Sequence, residues 1–221
     1  STRRRPHTPD PAPGGYWLAV PTTLARTASS VGGGLLAAAA GGVAALRPAS
    51  KPLHPTGEVR AARVFRSGST ERTGVPWIDD VGEDDVQVRL SRAIGLPGRL
   101  PDIHGLALRV PGEGDDRPAG DVLFATTGRG VVSRFLLLPS WGARTQPMTT
   151  LLPYRTETGP IVLAAEAVGA EVFELSWARP AGDWHPFACL RLSTRRLALD
   201  VSFDPVLHQL PGLEQYPAVR R

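Results

Sequence analysis

Val86-Gln87-Val88-Arg89-Leu90-Ser91 alternates apolar and polar side chains without a break. Successive side chains of an extended chain point to opposite faces, so Val86, Val88 and Leu90 share one face and Gln87, Arg89 and Ser91 the other. That period of two reads as a half-buried strand, because a helix would repeat its apolar positions every three or four residues. The same rhythm of short apolar runs continues on both sides, at Val59–Arg66, Gly105–Val110, Val122–Thr127, Ile161–Ala167, Val172–Ala178, Phe187–Ser193 and Leu197–Phe203. Turn chemistry separates them, as in Pro111-Gly112-Glu113-Gly114 and Pro180-Ala181-Gly182-Asp183. With Val86–Arg92 these make eight strands, enough to close a barrel and remove its edges. The expected fold is α+β, mainly β: a closed antiparallel eight-stranded barrel with flanking helices.

The barrel domain is expected over residues 49–221. Residues 1–15 carry Arg3-Arg4-Arg5 and a run of prolines and glycines from Pro11 to Gly15, which builds no core and reads as a flexible basic tail. Residues 16–48 are rich in alanine and glycine, notably Gly34-Leu35-Leu36-Ala37-Ala38-Ala39-Ala40, and read as a helical segment. Their apolar run is too short to span a bilayer and Arg26 precedes it, so docking on the barrel, on a second copy of the chain or on a protein partner is expected, with a membrane surface as the alternative. A secretory leader is not expected, because the arginines lie far upstream of the apolar part.

Composition narrows the function. The chain of 221 residues has 25 basic and 21 acidic side chains, a formal charge of +4, and Lys51 is its one lysine. No basic run is interleaved with aromatic side chains, so a nucleic-acid groove is not expected. The single cysteine, Cys189, makes no internal disulfide, which fits a reducing, cytoplasmic compartment; within Phe187-Ala188-Cys189-Leu190 it reads as a packed thiol. Val31-Gly32-Gly33-Gly34 lacks the strand and the Lys-Ser/Thr ending of a phosphate-binding loop. Asp79-Asp80 and Asp84-Asp85 have no histidine partners and read as solvated turn residues, and Trp184-His185-Pro186 reads as a hairpin end on the barrel rim.

Three segments in order carry a resemblance: Pro52-Leu53-His54-Pro55-Thr56-Gly57 before a strand, Val88-Arg89-Leu90-Ser91-Arg92-Ala93-Ile94-Gly95, and Asp102-Ile103-His104-Gly105-Leu106-Ala107-Leu108-Arg109-Val110. They resemble the distal half of the catalase family, which has a histidine before the first barrel strand, an Arg-x-Ser strand ending near glycine, and an Asp-x-x-Gly-x-Ala strand. Asp121-Val122-Leu123 is similar to the opening of the next family strand, and Pro153-Tyr154-Arg155 to a motif of the smaller catalase-related peroxidases. Leu199-Asp200-Val201-Ser202-Phe203-Asp204-Pro205 resembles the segment before their proximal helix. The resemblance runs from about residue 51 to 214 and implies a catalase-like barrel.

It also implies roles. His54, which on its own is a loop histidine beside Pro55, becomes the distal base that takes a proton from a peroxide and returns it to the leaving oxygen. Ser91 holds the tautomer of His54, and Arg89, otherwise part of an exposed polar face, meets a propionate of haem b. Two departures accompany these matches. Catalases place an asparagine in the strand corresponding to Asp121–Thr127, but this chain contains no asparagine, and Thr126 or Thr127 is left as the nearest hydroxyl. The family's proximal tyrosine is expected beyond Arg221; Tyr216-Pro217 is similar to its Tyr-Pro but comes early and lacks the preceding arginine. The implied activity is that of a haem peroxidase, or an enzyme of organic peroxides, with poor dismutation of hydrogen peroxide. The alternative is a haem-free catalase-fold protein that binds a small apolar ligand or a partner in a larger assembly.

Overall fold

The computed structural model describes residues 57–92, 100–112, 119–198 and 201–216. The tail, the 16–48 segment and His54 lie outside the described residues. Strands β1 (Glu58–Ser67) and β2 (Val81–Arg92) form a long hairpin, and β3 (His104–Val110) and β4 (Gly120–Thr126) continue the antiparallel sheet. After β5 (Met148–Thr149) and β6 (Tyr154–Thr156) come the three long strands β7 (Gly159–Gly169), β8 (Val172–Ala178) and β9 (Trp184–Arg196), and a short β10 (Glu214–Gln215) ends the series.

The order β7-β5-β4-β3-β2-β1-β9-β8 is closed by pairing of β8 with β7, which makes a ring of eight strands. Residues Ile161 to Gly159 of β7 diverge to pair with β6, and β6 pairs in turn with β10, so these two form a flap beside the ring. Seven of the ring strands fall on the expected runs. The eighth does not: Leu197–Phe203 was expected as a strand, but the ring place is taken by the two residues Met148–Thr149, and residues 201–203 have no strand conformation. The start of that run stays with the sheet through Leu197 N donating to Val59 O at 2.9 Å.

Inward-facing positions of the ring strands make the core. Val64, Val88, Leu106, Leu108, Met148, Leu163, Phe173, Leu175, Trp177 and Leu190 are each buried and belong to one apolar cluster. An eight-stranded barrel is wide enough for its own side chains to fill it or for one small ligand, and here these buried side chains pack the interior. Among the described residues the helical elements are short: α1 (Pro76–Asp79) and one 3-10 turn at Ser133–Phe135. The α1 turn stoppers one mouth with Trp77 and Ile78, the Trp77 ring meeting Phe187 edge-on at 5.4 Å. The Asp79 carboxylate accepts from the backbone N–H groups of Thr73 and Gly74 and from the Thr73 hydroxyl, which fixes the entry to the turn. Asp84 accepts from Arg66 Nε at 2.8 Å and Trp77 Nε1 at 3.1 Å. Two of the four aspartates expected as solvated turn residues therefore hold the mouth together instead.

Candidate functional site

Residues directly opposite on antiparallel strands point to the same face, so the registers of β1 to β5 map the outer wall in three rows. The first is Ala61–Gln87–Arg109–Asp121, the second Val59–Arg89–Ala107–Leu123, and the third Ser91–Gly105–Ala125–Thr149. The expectation that Arg89 and Ser91 share one face holds: the core takes Val86 and Val88, and the two polar residues point outward. Gly105 makes room for Ser91, since a side-chain carbon at 105 would stand 2.9 Å from the Ser91 Oγ.

The outer rows are covered unequally. Over the first lies the segment 201–208, seated on Asp121, which is fully buried. Asp121 accepts from Arg109 Nε and Nη2 at 2.7 and 2.6 Å and from Asp204 N at 2.8 Å, and pairs with His208 Nδ1 at 3.1 Å. Those hydrogen bonds hold the Arg109 guanidinium above its ordinary pKa, and Arg109 also donates to Ser202 O and lies 5.1 Å from the Phe203 ring. His208, which the sequence left without a role, is thus part of this seat. Over the third row, Ala125 packs with Ile103, Leu151 and Leu137 in a small apolar cluster of its own. The second row lies between the two covers, and there Leu123 keeps 36% of its surface exposed. Within this row Arg89 stands between Val59, which is buried, and Ala107, so the partly exposed apolar surface is Ala107 and Leu123, with Arg89 and Ser91 at its edge.

At the end of β3, sequence reasoning missed a polar cluster. His104 Nε2 contacts Ser140 O at 3.2 Å, Asp102 and Ser140 exchange backbone hydrogen bonds, and Arg92 Nε lies 3.5 Å from Asp102 Oδ2. The contact with a carbonyl places the proton of the neutral ring on Nε2. Burial pushes the His104 pKa below its ordinary 6.5, against the opposing pull of the Ser140 carbonyl. The unfolded chain therefore binds a proton near pH 6.5 that the folded chain refuses, so stability is complete above that pH and falls as the pH drops through it. Urea unfolding at pH 7.5 and pH 5 should show a steeper acid loss for the native chain than for His104→Gln, which keeps a donor for Ser140. Equal losses in the two would exclude this group as the source.

The remaining candidates are dispersed. Tyr216 follows β10, and the ring order puts five strands between β10 and β2 in either direction, so it is not brought beside Arg89 and Ser91. Tyr154 is 4% exposed and hydrogen-bonded to Gln215, and burial raises its phenol pKa. The two threonine hydroxyls are engaged: Thr126 Oγ1 accepts from His104 N, and Thr127 Oγ1 donates to Thr149 Oγ1. Trp184 donates to Arg129 O and packs under Arg134, His185 stacks on Trp177 at 4.7 Å, and Cys189 is half-buried, on the face opposite the core. For haem b the described residues offer a small apolar surface, Ala107 and Leu123, with the Arg89 guanidinium next to it. They place no iron ligand against it.

No family model matches the chain, and no curated protein does. Solved structures do match. One, described as the structure of a bacterial catalase, has a TM-score of 0.54 at 11% identity, over 77% of this chain and 55% of the catalase. The chain thus spans about half the length of that protein. At such identity the likeness concerns the fold alone: the barrel is catalase-like. No helix among the described residues is long and apolar enough to cross a membrane.

Proposed function

We propose that the chain is a catalase-fold haem protein of the peroxidase type, akin to the smaller catalase-related peroxidases, acting on organic peroxides with weak dismutation of hydrogen peroxide. The observation that carries this reading is the outer wall, where Ala107 and Leu123 lie in one row with Arg89 and next to Ser91. Haem, when bound, supplies redox chemistry toward a peroxide O–O bond. The chain's part is binding and proton handling. Arg89 pairs with a propionate through charge-assisted hydrogen bonds. Ser91 orients the His54 ring, and His54 takes the peroxide proton on one oxygen and delivers it to the other. Gly57 lies against Arg89, and only Pro55 and Thr56 separate it from His54.

A haem titration tests the reading. One equivalent of hemin should develop a Soret band with the native chain, and Arg89→Ala should weaken binding about tenfold, the worth of one charge-assisted contact. Tight binding that is lost in Tyr216→Phe would assign the iron to Tyr216. A spectrum that stays that of free hemin overturns the haem reading in favour of the second one, a haem-free catalase-fold protein that binds another flat apolar ligand or a partner.

A further inference from the structure

Arg89 reaches its place on the wall through a neighbour that has no side chain. A carbon built on Gly57 would lie 2.2 Å from Arg89 Nε, 2.7 Å from Nη2 and 2.8 Å from Cζ, so the whole guanidinium occupies the space above that glycine. The register continues this geometry: Glu58 is opposite Leu90, which sets Gly57 level with Ser91 and diagonal to Arg89, within reach of a long side chain.

We propose that Gly57 is a positioning residue for Arg89: its bare backbone lets the guanidinium lie at the level of Ser91, where it meets the carboxylate of a flat ligand seated beside Ala107 and Leu123. The identity of that ligand rests on the haem reading above; the Gly57–Arg89 contact does not. The obstacle to a larger residue at 57 is the free end of a flexible side chain, so Gly57→Ala keeps the fold and swings Arg89 away. A matched control exists at the barrel mouth. A carbon on Gly82 would stand 2.2 Å from Arg66 Nη2, the same type of contact, but Arg66 serves Asp84 and has no part in that surface.

The test uses the native chain, Gly57→Ala, Arg89→Ala, their double variant and Gly82→Ala, titrated with hemin and with hemin dimethyl ester, whose carboxylates are capped. Gly57→Ala should weaken hemin about tenfold, as Arg89→Ala does, and the double variant should be no weaker than either single one. The loss should vanish with the dimethyl ester, and Gly82→Ala should bind as the native chain does. Native affinity in Gly57→Ala, or losses that multiply in the double variant, overturn the proposal. Nitrogen-15 spectra decide the contact without any ligand: the Arg89 Nε–Hε resonance, identified by its loss in Arg89→Ala, should shift in Gly57→Ala and stay in Gly82→Ala. An unmoved resonance refutes the positioning role. A native chain that takes up no hemin refutes instead the haem reading, and with it the carboxylate as Arg89's target.

Discussion

Asp121→Ala should destabilise the barrel by about 3 kcal/mol or more, the cost of removing one partner from a buried ion pair. The carboxylate has no exposed surface, and four donor contacts converge on it: two from Arg109, one from the Asp204 backbone and one from His208. Truncation strands a guanidinium that is itself only 22% exposed and releases the segment 201–208 from the wall. Against a total stability of about 5–15 kcal/mol for a domain, such a loss is large. Urea unfolding monitored by the barrel tryptophans measures it, and limited proteolysis should find new cleavage between 201 and 208. Arg109→Met combined with Asp121→Leu should recover much of the stability, because a well-packed apolar pair avoids the desolvation of two charges. Unfolding midpoints for Asp121→Ala within a few tenths of a kcal/mol of the native value would mean that the seat contributes nothing.

How far the fold is legible in the sequence depends on the type of signal each strand leaves. A strand with one face in the core writes its period of two directly, as Val86-Gln87-Val88-Arg89-Leu90-Ser91 does, while the other six matched ring strands show as short apolar runs between turn residues. Met148–Thr149 leaves no such trace: two residues cannot show a period, and only the preceding Pro147 hints at a break. Leu197–Phe203 fails in the opposite direction. Its alternation of Leu197, Leu199, Val201 and Phe203 is that of a strand, yet part of it crosses the outside of the wall, where Phe203 faces Arg109. An extended segment laid over a sheet buries every second side chain just as a strand does, and composition does not separate the two.

The site divides along similar lines. The common face of Arg89 and Ser91 followed from parity alone, since register shifts do not change which neighbours alternate. The Asp121 seat was not legible, because its members are 12, 83 and 87 residues apart and each is ordinary in its own segment. His104 was quoted within a motif but given no role; the signal available was its place on the inward face next to Leu106 and Leu108, where an ionisable group demands a partner. Tyr154 shows the limit of motif reading: Pro153-Tyr154-Arg155 was recognised as a likeness, but the phenol is committed to Gln215 inside the protein.

Hemin-loaded protein should evolve oxygen from hydrogen peroxide at least about a hundredfold more slowly than a true catalase, the usual cost of losing one oriented hydrogen-bond donor at a reacting oxygen. The reason lies in the third row of the wall. Beside Ser91, across Gly105, stands Ala125, whose methyl group donates nothing and is packed against Ile103, Leu151 and Leu137. The neighbouring hydroxyls of Thr126 and Thr127 do not replace the missing amide, since Thr126 points to the opposite face of β4 from Ala125 and the Thr127 hydroxyl donates to Thr149. Nor does the sequence hold an asparagine elsewhere to reach in. Oxidation of an organic donor makes a smaller demand, because only one peroxide must be oriented, and in the proposed reading its proton is handled by His54 with Ser91. An oxygen electrode and a chromogenic donor assay on the same loaded sample should therefore diverge, with donor oxidation retained and oxygen evolution low. Oxygen evolution at a catalase-like rate would show that a donor from outside the described wall orients the peroxide, and the role drawn from Ala125 would fall.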